Sequence, residues 1–116
     1  MRYAMLIYTD ETKEASQDEA EMAAVMDAYN AFTDHVRQRG VLRGGEALHP
    51  TAMATTVRKR NGRTDTTDGP FTAGAEQLGG FYILDCQDLD EAIVLAARIP
   101  GASHGAVEIR PLVEFD

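Results

Sequence analysis

The chain has 116 residues, a formal charge of −8 at pH 7, 44% apolar residues and one cysteine. This length predicts one domain, residues 1–116, with enough chain to bury one core. The acidic balance argues against nucleic acid and anionic membrane surfaces as partners, and the lone Cys86 excludes an internal disulfide and a multi-thiolate metal site.

Residues 2–9 read as a strand that is apolar on both faces, with Tyr3, Met5 and Ile7 alternating with Ala4, Leu6 and Tyr8. The apolar opening stops at Thr9-Asp10-Glu11, too short for a secretory signal core. No run approaches the length of a membrane span. A cytoplasmic protein is therefore expected. After a polar loop, Ser16 and Glu19 fit a capping box. A helix over about residues 17–39 follows, with Met22, Val25, Met26, Tyr29, Phe32 and Val36 as its apolar stripe and Gly40 as a C-cap.

A second strand over 41–48 carries Gly44-Gly45, which marks a bulge or a close approach of backbones. Residues 53–60 and 63–67 form a hairpin about Asn61-Gly62, a type I′ turn signal. Its basic residues Arg58, Lys59, Arg60 and Arg63 read as a solvated tip that resists edge pairing, or as a small anion site. A buried strand covers 81–86. Asp88 then caps a second helix running to about Arg98, with Leu89, Ala92, Ile93, Ala96 and Ile99 facing the core. Pro100-Gly101 stops it, and a last strand over 106–109 ends at Pro111, which suits a sheet edge.

Without the hairpin this order is β-α-β-β-α-β, the ferredoxin-like split βαβ arrangement of an α+β fold. Two helices cover only one face of such a sheet. The strands over 2–9 and 81–86 are apolar on both faces, so the other face should meet a second copy of the chain, giving a homodimer with sheets packed face to face.

The segment Asp68-Gly69-Pro70-Phe71 with Glu76-Gln77-Leu78-Gly79-Gly80-Phe81-Tyr82 resembles the DGPF-domain family, within the YCII-related superfamily of dimeric α+β barrels. The opening Tyr3–Tyr8, the run Gly44–Leu48 and Glu108-Ile109-Arg110-Pro111 carry the same resemblance. It implies a ferredoxin-like fold, an intimate dimer and a cleft between helices and hairpin. It also implies a small bacterial protein of unassigned function, in some cases associated with an extracytoplasmic-function sigma factor, in others related to lyase-like enzymes of aromatic breakdown. Two positions depart from the pattern. Ala73 and Ala75 stand where the family usually has Glu and Lys, and Tyr29 stands where the wider group carries a histidine.

Among the residues that could act, Asp68 either bonds downstream amides to hold its turn or serves a cleft as general base or polar ligand. Gln77 satisfies backbone where the loop re-enters the sheet, or meets a ligand. His35, His49 and His104 match no metal spacing, and neither metal nor cofactor is called for. His104, in a glycine-bounded loop before the last strand, is the histidine placed to act. Tyr29 is core or cleft, and Arg110 pairs with a neighbouring carboxylate or an anionic ligand. Two functions follow. One is binding or chemistry on a small organic molecule, with Asp68 and His104 catalytic and Tyr29, Gln77 and Arg110 holding the ligand. The other is a non-catalytic regulatory or interaction module.

Overall fold

A computed structural model of the chain describes residues 1–115. The elements run β1 (Arg2–Asp10), α1 (Glu11–Ala15), α2 (Glu19–Gln38), β2 (Leu42–Ala47), β3 (Thr55–Arg60), β4 (Arg63–Asp68), β5 (Glu76–Asp85), α3 (Leu89–Ala96) and β6 (Ala106–Pro111). Short 3-10 turns lie at Thr51–Met53 and Pro100–Ser103. Four strands pair antiparallel in the order β2-β5-β1-β6, and β3 pairs with β4 alone. The molecule is thus α+β, and its strand order is compatible with a ferredoxin-like arrangement.

The period of two along a strand decides which residues meet the helices. Tyr3, Met5 and Ile7 of β1 and Leu84 of β5 are buried with Phe32 and Val36 of α2 and with Ala92, Leu95 and Ala96 of α3. Met5, Leu84, Val36 and Leu95 are completely enclosed, as is Cys86, whose thiol burial pushes above its ordinary pKa. The opposite face carries Leu6 paired with Phe81, Ala4 paired with Ile83, and Tyr8 paired with Leu78, together with Glu108 and Arg110 of β6.

Several boundaries differ from the sequence reading. The loop after β1 holds α1, capped by the Asp10 carboxylate, which accepts from Thr12 N–H at 2.9 Å. Ser16 closes α1 and does not open the next helix. Asp18 caps α2 instead, accepting from Glu21 N–H at 2.8 Å while Glu21 reaches back to Asp18 N–H, so the capping box sits two residues later than expected. In α3 the buried face is Ala92, Leu95, Ala96 and then Ile99; Leu89 and Ile93 face solvent. Strand β5 begins at Glu76: Gly80 pairs with Ile7 and Ala47, and Gly79 is passed over in a register shift after which Leu78, Gln77 and Glu76 continue the ladder with β1.

The turn joining β3 to β4 is type I′, as Asn61-Gly62 predicts: both residues take positive φ, at 52° and 78°. All of β3 and β4 is solvent-exposed except Thr56. The hairpin is tied to the body at its base, where Gly69 N–H donates to Ala54 O at 2.7 Å and Thr56 Oγ1 to Gly69 O at 2.8 Å. Gly69 adopts φ 112°, a conformation that residues with a Cβ rarely reach. It is therefore not in the ordinary extended region into which Pro70 would drive another residue.

Candidate functional site

The stripe on α2 predicts six core side chains, and only its C-terminal part is core. Phe32 and Val36 are buried, Val25 and Tyr29 are half-buried, and Met22 and Met26 are 49% and 61% exposed. The reason lies in the sheet below. Gly45 pairs with Tyr82, and Gly80 with Ile7 and Ala47, so three of the strand positions beneath the first half of α2 carry no more than a methyl group. The glycines are forced by close approach. A Cβ on Gly45 would stand 2.9 Å from Phe81 O, and one on Gly80 2.9 Å from Glu46 O. The helix continues over this floor, and a cleft of about 740 Å³ remains between them. Such a volume suits a small molecule.

One wall of the cleft is Met22, Val25, Met26 and Tyr29. At one end the Tyr29 hydroxyl and the Thr9 methyl pack together against Gly101. A Cβ there would lie 2.8 Å from the Tyr29 oxygen and 3.3 Å from Thr9 Cγ2, so this loop must be glycine to pack against both. Thr9 is itself only 5% exposed and donates its hydroxyl to the Glu14 carboxylate. Burial pushes the Tyr29 phenol above its ordinary pKa. A backbone bond from Gly101 opposes that rise, and the nearby Tyr82 and Glu14 add to it. Tyr29 accordingly stays a neutral hydroxyl, able to donate or accept, across the physiological range.

The outer end is closed by α1. Glu11 accepts from Thr51 N–H at 2.9 Å and from Thr51 Oγ1 at 2.6 Å, which ties α1 to the turn after β2. Thr33 and Tyr82 share a hydrogen bond at 2.8 Å along the lining, and Tyr82 is fixed edge-on against Phe32 at 5.0 Å. His104 reaches the rim, its Nδ1 3.3 Å from Ser103 Oγ. Arg37 lies there too, held by Asp34 at 3.1 Å.

Two of the sequence-predicted residues, Tyr29 and His104, therefore line this cleft. Gln77 lines a second, shallower cavity of about 490 Å³ with Tyr8, Pro70 and Phe71. Its amide donates to Thr72 O at 3.0 Å and Gly74 O at 3.1 Å, the structural alternative read from the sequence. Asp68 ends β4 with its side chain exposed and lines neither cavity. Arg110 lies on the opposite face of the sheet, 3.3 Å from Glu108. Thr9, Glu11 and Glu14 escaped sequence reasoning. The usable signals were a lone hydroxyl ending an apolar strand and two acidic residues three apart just beyond it. Among the described residues, no three His, Cys, Asp or Glu side chains gather as a metal site would require. No described helix is long and apolar enough to cross a membrane.

The YCII-related domain family matches residues 1–116. An uncharacterized protein of Rhizobium meliloti (strain 1021) is 40% identical over 117 residues, covering 99% of this chain and 94% of that protein. The chain belongs to the YCII-related family.

Proposed function

We propose that this YCII-related protein binds a small organic molecule between α2 and the glycine floor of its sheet. The carrying observation is that half of an apolar helix stripe stands over an open cleft instead of a packed core. An apolar wall with a few convergent polar groups is the usual composition of a ligand site. Tyr29 offers a neutral hydroxyl, Glu14 a carboxylate and His104 an imidazole, which are also the group types of acid–base chemistry. Asp68 and Arg110 stand outside this cleft and take part only through an assembled form.

Ala47 provides the test. It lines the cleft from the exposed edge strand, where a larger side chain extends into the void and not into the core. A ligand of the native state raises the melting temperature. Compounds from a fragment collection should therefore raise that of the parent protein and leave that of Ala47→Phe unmoved. Equal shifts in both proteins would place binding elsewhere, and no shift with any fragment would refute the reading.

The assembly we propose is a homodimer in which the faces carrying Leu6, Tyr8, Phe81 and Ile83 pack together, as in a dimeric α+β barrel. Supporting it are the apolar character of that face and the projecting hairpin. A two-stranded hairpin is at best marginally stable without something to pack on. In this assembly Arg110 and Glu108 belong to the dimer interface rather than to a ligand site.

A further inference from the structure

Resting on the cleft reading, we infer that its ligand carries an amine on an apolar, ring-sized body, with the ammonium held between Glu14 and the Tyr29 hydroxyl. The charges at the cleft decide this. Glu11 and Glu14 both line it, and their hydrogen-bond partners are uncharged: Thr51 for the first and Thr9 for the second. Neither has a cation within ion-pair distance among the described residues. Of the cations nearby, Arg37 is occupied by Asp34, and the side chain of His104 sits at the exposed rim.

A carboxylate has about four acceptor sites, and Thr9 fills one of those on Glu14. Thr9 links this carboxylate to the phenol: it bonds Glu14 through its hydroxyl and packs through its methyl beside the Tyr29 oxygen at Gly101, and both Glu14 and Tyr29 line the cleft. An ammonium brings three donors and a positive charge to this place. An anionic ligand would meet two carboxylates without ion-pair partners against one arginine already paired with Asp34, and the balance of like charge repels it. The rest of the wall is thioether and aliphatic, from Met22, Val25 and Met26. Methionine adapts its shape and makes favourable sulfur–ring contacts, so this wall suits a flat aromatic body.

Three probes with the same phenylethyl body separate the outcomes: 2-phenylethylamine, 2-phenylethanol and 3-phenylpropionate, titrated calorimetrically against the full chain. The amine is expected to bind most tightly, the alcohol more weakly and the acid least. Glu14→Gln should weaken the amine about tenfold or more and leave the alcohol nearly unchanged, because only the amine loses a charge-assisted bond. Glu14→Ala serves as a second variant, with circular dichroism showing that each remains folded. Tightest binding by the acid, or an equal loss of amine and alcohol in Glu14→Gln, would overturn the amine assignment and leave the cleft reading standing. Binding by none of the three, together with a fragment screen that also fails, would overturn both.

Discussion

Thr9 is buried at the end of an otherwise apolar strand, where an unpaired hydroxyl would cost about 1–3 kcal/mol. Its bond to Glu14 avoids that cost and brings a carboxylate to the cleft. The sequence shows the hydroxyl and the carboxylate but not their meeting, because α1 is too short to announce itself by periodicity. Asp68 illustrates the reverse. The motif around it is the most recognisable in the chain, yet its side chain is exposed and its glycine and proline shape the base of the hairpin. Another carboxylate sets a pH response. The bond from the N-terminal ammonium to Asp85, at 3.1 Å, holds that carboxyl below its ordinary value, with Arg43 and Arg2 adding to the effect. With the folded pKa below the unfolded one, the contribution is present above the unfolded value and is lost as pH falls through the folded one. Asp85→Asn should therefore lower stability at pH 7 and flatten its decline below pH about 4. Urea midpoints across pH 3 to 7 measure this, and parallel curves for parent and variant would contradict it.

At the scale of elements, the two halves of α2 do different work. Phe32 and Val36 hold the C-terminal half in the core, while Met22, Val25 and Met26 in the N-terminal half wall the cleft. The period of 3.6 was legible in the sequence and identified the stripe. It could not say that the strands opposite are glycine, since that depends on which strands pair beneath the helix. With few core contacts, the N-terminal half leans on the Asp18–Glu21 capping box. Asp18→Ala should cost about 1 kcal/mol, and the loss should be local. Amide exchange over 19–28 is expected to speed up about fivefold, with Phe32 and Val36 keeping their protection. Uniform acceleration along the helix would mean that its first half is part of the core after all. The hairpin was the best-read element, because Asn-Gly specifies its turn locally.

The whole molecule is a slab measuring 47 × 47 × 18 Å. Its radius of gyration of 16.1 Å exceeds the about 13 Å usual for a chain of 100 residues. The excess comes from the hairpin reaching out and from a sheet with helices on one side only. Apolar alternation in β1 and β5 made the two-sided sheet legible, since Ala4 and Leu6 pair with Ile83 and Phe81 on the face away from the helices, while the flanking strands set Glu108, Arg110 and Glu46 beside them. The proposed homodimer predicts a light-scattering mass twice 12.7 kDa, held on dilution and lost when Leu6 and Phe81 are both changed to Lys. A monomer mass for the parent protein at all concentrations would remove the assembly but not the cleft.

The cleft itself is examined most directly by nitrogen–proton correlation spectra during titration with 2-phenylethylamine. Shifts should concentrate on the amides of Thr9, Gly45, Gly80 and Gly101 and on α2 from Met22 to Tyr29, with the hairpin unmoved. Saturable shifts confined to the hairpin or to the opposite face of the sheet, with the glycine amides still, would contradict a binding site between α2 and its glycine floor.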